Sequence, residues 1–180
     1  MKNNEIITNA DKPNIERVRF AIKVISGMQS ELQKCIKHGY GPFMAAIYRG
    51  KTLIAKSANT VVKDRCSNHH AEIKTIRAAQ QKLKKYDLSN DDISLFITAE
   101  PCMMCIGAIM WSGIKNVYYG VPSKLVEKLT GFDEGFKRNW MAEFKKRGIT
   151  VYGNICADDG ANVLEQYTKS EKEFYGPKNK

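Results

Sequence analysis

Two short motifs, His70-Ala71-Glu72 and Pro101-Cys102-Met103-Met104-Cys105, constrain the fold of this chain more than any other feature. Cys102 and Cys105 are three positions apart, so within a helix turn both sulfurs lie on one face and can grip one ion. His70 adds a third N or S donor, and three such donors leave a tetrahedral zinc one open position, the arrangement of a catalytic site. Any fold must therefore bring together two segments about thirty residues apart. Helix starts can meet in this way at the carboxyl ends of neighbouring strands in an open α/β sheet.

The hydrophobic pattern supplies such elements. Ile15, Val18, Ile22, Ile25, Leu32 and Ile36 recur at helical spacing after Asp11-Lys12-Pro13-Asn14, predicting a helix over about 14–37. Apolar runs at 43–48 and 53–57 flank Arg49-Gly50-Lys51 and predict a hairpin, followed by a polar loop over 58–69. A second helix is expected over about 70–84 with Ile73, Ile76 and Ala79 inward, and a third from Pro101-Cys102 to about Trp111. Strands are predicted at 93–98, 116–121 and 149–152, and a terminal helix from Ala161 through Val163, Leu164, Tyr167 and Phe174. Strands alternating with helices imply a layered α/β domain, and the opening hairpin makes its sheet mixed. At 180 residues the chain is expected to form one domain over 1–180, with flexible ends at 1–12 and 176–180.

Composition narrows the function. No apolar run approaches the roughly 20 residues of a membrane helix, and the first ten residues lack the apolar segment of a secretory signal. A soluble, cytoplasmic protein with reduced cysteines is expected. The net charge is +10, yet residues 70–136, which hold both motifs, carry as many acidic as basic side chains. The basic excess fits solvated helix faces, or the gathering of a polyanion such as tRNA.

A neutral imidazole completes a Cys₂His set and leaves Glu72 for proton work. Residues two apart point to nearly opposite sides of a regular helix, so His70 is expected at the irregular helix edge and Glu72 within it. His69 is assigned to the pocket wall or the surface. Cys66, four residues before His70, would close a Cys₃His structural site if it bound, and Cys102-x-x-Cys105 also permits a redox pair. With zinc present, a water's pKa falls toward neutrality and Glu72 can take its proton, return it to a ring nitrogen, and then protonate a departing amine.

His-x-Glu with Pro-Cys-x-x-Cys is the signature of zinc nucleobase deaminases. From about Ile15 to Tyr175 the chain resembles the cytidine-deaminase-like superfamily, and within it is most similar to bacterial guanine deaminases. The resemblance rests on Gly41-Pro42-Phe43, Asn59, Trp111 and Gly131-Phe132-Asp133-Glu134, the last with Glu134 where the family has Asp. It implies a three-layer α/β/α fold with a mixed central sheet and one Zn²⁺ per subunit, held by His70, Cys102 and Cys105. It implies Glu72 as the catalytic residue and a purine site of Asn59, Trp111, Glu134, Phe43 and Tyr175. The implied reaction is hydrolysis of guanine to xanthine and ammonia. It also implies a homodimer whose exchanged C-terminal segment brings Phe174 or Tyr175 to the neighbouring site. The alternatives are adenosine-to-inosine editing in tRNA, deamination of cytosine or guanosine, and a catalytically silent binding module on the same fold. Against tRNA editing, Cys66-Ser67-Asn68-His69 stands where tRNA deaminases carry Asp-Pro-Thr-Ala.

Overall fold

The computed structural model describes residues 5–89 and 92–170. Its elements are β1 (Ile7–Thr8), α1 (Ile15–Lys37), β2 (Met44–Arg49), β3 (Thr52–Ala58), α2 (Val61–Asp64), α3 (Ala71–Leu83) and β4 (Ile93–Ala99). They continue with α4 (Met103–Ser112), β5 (Asn116–Val121), α5 (Ser123–Thr130), α6 (Trp140–Lys146), β6 (Thr150–Gly153) and α7 (Ala157–Thr168). The strands form one sheet in the order β1-β6-β5-β4-β2-β3. β4, β5 and β6 run parallel, while β2 pairs antiparallel with both β3 and β4, so the expected mixed sheet is present.

Alternation along the strands divides the core between the two faces of the sheet. Ala45, Ile47, Leu95, Ile97, Val117, Tyr119 and Val151 pack on one side with Ala71, Ile76 and Ala79 of α3, Ile109 of α4, and Trp140 and Phe144 of α6. Ala46, Phe96, Tyr118 and Tyr152 face the other side with α1 and α7, where Phe96, Tyr118 and Tyr152 stack at centroid spacings of 4.9 and 5.1 Å. Side chains of period two on strands covered on both faces make this three-layer α/β/α arrangement. β4 is buried along its whole length, which is why its sequence reads as nearly continuous apolar character.

Helix α1 starts where expected because the Asn14 side chain accepts the Arg17 N–H as an N-cap, at 3.0 Å. The hairpin and β5 also fall at their expected places, while the last strand and the terminal helix are shifted to Thr150–Gly153 and Ala157–Thr168. Three expectations need correction. The loop over 58–69 contains the one-turn helix α2, whose carboxyl end is closed by Arg65 in the left-handed region at φ 50°. Ile73 is only partly buried, and Thr75, whose hydroxyl donates to Ala71 O and Ala45 O, takes an inward position instead. The leader expected to be flexible over 1–12 carries structure from Ile7. There Ile7 and Thr8 pair with Gly153 and Tyr152, and the Asn9 amide bonds Met141 O, Ile149 O and Val151 N. Local hydrophobic pattern has no access to such pairings, made across more than 130 residues of chain. The expected frayed end at 176–180 lies outside the described residues.

Helices α5 and α6 lie in a stretch whose sequence shows little periodicity. Pro122 precedes α5, and Gly131, at φ 72°, closes it with its N–H on Glu127 O. Among the described residues, no helix is long and apolar enough to cross a membrane.

Candidate active site

Two helix starts meet beyond the carboxyl end of β4. His70 is the N-cap of α3 in extended conformation, φ −63° and ψ 152°, and Glu72 lies in the first turn, the division that the His-x-Glu spacing demands. Cys102 is likewise the N-cap of α4 and Cys105 lies in its first turn. Neither N-cap side chain makes a capping hydrogen bond, although capping by Ser, Thr, Asp or Asn would be stabilising there. Both side chains instead turn toward a common point.

The Nδ1 of His70 lies 3.5 Å from Cys102 Sγ and 3.6 Å from Cys105 Sγ. A tetrahedron with Zn–S of about 2.3 Å and Zn–N of about 2.0–2.1 Å has N···S edges of about 3.6 Å. The donor spacing therefore fits zinc, with Nδ1 as the imidazole ligand atom and its proton on Nε2. Among the described residues, His70, Cys102 and Cys105 are the group of metal-type side chains close enough to share an ion. Cys66 is not part of it, and its Sγ contacts Asn68 Oδ1 at 3.0 Å. His69 points elsewhere, with Nδ1 on Asp64 Oδ2 at 2.8 Å.

The electrostatics match a site made for a cation. Cys102 is brought down to about 4, first by a hydrogen bond with Cys105 and then, against its own burial, by His70. Cys105 is driven upward by the same bond, by burial and by Glu72. Two thiols thus share one negative charge without metal, and a bound dication would deprotonate both. Burial alone would lower His70, but its contact with Cys102 and the nearby carboxylates raise it on balance. Burial is the main cause that lifts Glu72 to about 7, aided by Cys102 and opposed by His70. Burial also lifts Glu134 to about 7, opposed by Lys137.

A narrow cleft opens onto this group, lined by Phe43, Asn59, His70, Glu72, Ile97, Ala99, Glu100, Cys102 and Glu134. Asn59 Oδ1 accepts the Val61 N–H at 3.1 Å, which starts α2 and holds the carboxamide at the cleft wall. Gly41 makes this possible: a Cβ there would stand 2.7 Å from Asn59 Oδ1. Phe43 packs on Phe132 with ring centroids 5.7 Å apart, holding the loop that carries Glu134 over the cleft.

Of the residues expected to bind a base, Asn59, Phe43 and Glu134 thus share one cleft. Trp111 does not line it: the indole is 83 % exposed near the far end of α4. Phe174 and Tyr175 lie outside the described residues. Sequence reasoning missed Glu100 and its partners. Glu100 accepts the Ser123 N–H and the Trp140 indole N–H, each at 2.9 Å, and its only sequence signal is a carboxyl group directly before Pro101-Cys102.

Fold and site together define a deaminase of the cytidine-deaminase-like class. Residues 21–139, more than half of the chain, match the MafB19-like deaminase family, and the protein belongs to that family. Guanine deaminase from Nitrosomonas europaea has a solved structure with a TM-score of 0.73, 34 % identity, and coverage of 93 % of this chain and 91 % of that one. A solved structure of NE0047 in complex with 2,6-diaminopurine gives 0.79, 35 %, 97 % and 90 %. The guanine deaminase of Bacillus subtilis is 38 % identical over 96 residues, 53 % of this chain and 60 % of its own. A tRNA-specific adenosine deaminase of Buchnera aphidicola is 29 % identical over 136 residues, 76 % of this chain and 85 % of its own. The protein is an enzyme of hydrolytic deamination acting on a nucleobase or nucleoside.

Proposed function

We propose that residues 1–180 form a single zinc-dependent deaminase domain that hydrolyses a purine base, converting guanine to xanthine and ammonia. The observation that carries this reading is the shared cleft. It brings Glu72 and the metal-type donors His70 and Cys102, beside Cys105, together with Asn59 and Glu134, the two groups assigned to the base. The solved complex with 2,6-diaminopurine and the two guanine deaminases support a purine.

His70, Cys102 and Cys105 would hold the zinc, one per subunit. When bound, it supplies Lewis acidity and lowers the pKa of a water molecule. Glu72, which burial holds above the ordinary carboxylate range in the metal-free protein, would accept a proton from the attacking water, pass it to a ring nitrogen, and then carry the remaining hydroxyl proton to the leaving amine. The water oxygen bonds to the purine C2, the C2–N bond breaks, and ammonia departs. The Asn59 NH₂ donates to the base, and Glu134 reads its edge. Phe43 packs against the ring at the cleft wall. Trp111 and Tyr175 serve a purine only across a subunit boundary in this reading, which includes a cytoplasmic homodimer.

The test is to incubate zinc-loaded protein with purines, pyrimidines, their nucleosides and a tRNA anticodon stem-loop, and to follow ammonia and inosine. Faster release from guanine than from any other base supports the assignment. Release from guanine no faster than from adenine or cytosine overturns it. The match to tRNA-specific adenosine deaminases and the +10 charge favour a second reading, adenosine editing in tRNA. That reading predicts RNA binding with steep salt dependence, and absence of both binding and inosine dismisses it.

A further inference from the structure

We propose that Lys137 is a positioning residue, whose buried ammonium group holds the Glu134 loop against the start of α4 and so fixes the carboxylate that faces the base. This rests on the role given to Glu134 above. Lys137 Nζ lies 3.4 Å from Glu134 Oε2 and 3.7 Å from Glu100 Oε1, and all three side chains are largely buried. It also donates to Pro101 O at 3.3 Å and to the Ser123 hydroxyl. An ammonium has three N–H donors, and Pro101, Ser123 and Glu134 use them, so Lys137 has no donor left for a base.

The four partners belong to three different segments: the loop after α5, the β4–α4 junction and the start of α5. Glu100 is an anchored counter-charge, since the Ser123 N–H and the Trp140 indole already hold it. The Glu134 loop meets its surroundings in other places too. Its backbone accepts the Met103 N–H at a long 3.4 Å, and Phe132 packs on Phe43. Lys137 engages one Glu134 oxygen, Oε2, which leaves Oε1 for the purine edge. Without the ammonium group, two buried carboxylates would face each other across the junction, and the loop would relieve that repulsion by moving outward.

The test uses the full chain with Lys137→Met, Glu134→Gln and the double variant. Hydrogen exchange in the metal-free protein is expected to speed up at least about tenfold over residues 131–136 in Lys137→Met, while α3 keeps wild-type protection. With zinc and guanine, kcat/KM is expected to fall at least about tenfold in Lys137→Met, chiefly through KM. The same substitution made on Glu134→Gln should change it less than about twofold. Unchanged exchange over 131–136, or an equal kinetic penalty in both backgrounds, overturns the proposal. If Lys137→Met fails to fold, the double variant, which removes one carboxylate together with the ammonium, is compared with Glu134→Gln by the same exchange measurement. Should wild-type protein turn over no purine, the reading of the substrate fails, and exchange still decides the role of Lys137.

Discussion

At the scale of single residues, Glu72 and Glu134 both line the cleft, and burial lifts both carboxyl groups to about 7. Glu72→Gln keeps the shape of its site and loses the proton carrier. Ammonia release should fall roughly 10²–10⁴-fold while zinc content stays at wild-type level, as measured by turnover and metal analysis. Glu134 makes a separate prediction for stability against pH. Its folded-state value of about 7 lies above the ordinary 4.5, so between those limits the folded protein holds a proton that the unfolded chain has lost. Stability contributed by the neutral form is complete below the lower value and is lost as pH rises through the upper one, by up to about 3 kcal/mol. Denaturant unfolding of the metal-free protein from pH 4.5 to 8 should show this decline, and Glu134→Gln should flatten it, leaving the part that Glu72 contributes in the same direction. The donor triad and Glu72 were legible in the sequence because their spacing alone restricts which side chains share a helix turn. Lys137 was not, since a lysine in a polar loop looks like any solvated charge until its buried partners are known.

At the scale of elements, the site depends on β4 and β5 lying close enough to hold the starts of α4 and α5 side by side. Gly120 shows how tight this is. A Cβ there would stand 2.3 Å from Thr98 O and 3.0 Å from Thr98 C of the neighbouring strand, both backbone atoms, so no rotamer change relieves the clash. Gly120→Ala should cost about 1–3 kcal/mol in denaturant unfolding and weaken zinc retention as well, because β4 leads directly into Cys102. The helices that end the hydrophobic stripes were legible, as α1, α3 and α4 show. Helices α5 and α6 were hidden because their short apolar faces are set by packing on β5, β6 and α7 rather than by a repeat long enough to see. α2 was hidden for a different reason: it is one turn, begun by the Asn59 carboxamide and ended by a left-handed Arg65.

At the scale of the whole molecule, the amino-terminal segment closes the sheet edge that the rest of the chain leaves open. The Asn9 side chain makes three hydrogen bonds to α6, to the α6–β6 connection and to β6, at 2.8–3.0 Å. Asn9→Ala leaves those groups unpaired at a part-buried edge. A loss of about 2 kcal/mol, seen as a melting temperature lower by roughly 4–8 °C, is expected, with kcat/KM for the substrate unchanged because Asn9 does not line the cleft. The sequence by itself determined the donor set, the division between His70 and Glu72, and the α/β layering, since these follow from spacing and from hydrophobic period along a few consecutive turns. Tertiary structure alone decided that Trp111 faces away from the cleft, that Asn59 and Glu134 line it, and that Glu100 and Lys137 tie the starts of α4 and α5 to the loop that carries Glu134. Those outcomes depend on side chains meeting across long stretches of chain, and a local pattern holds no information about which distant partner a buried charge will find.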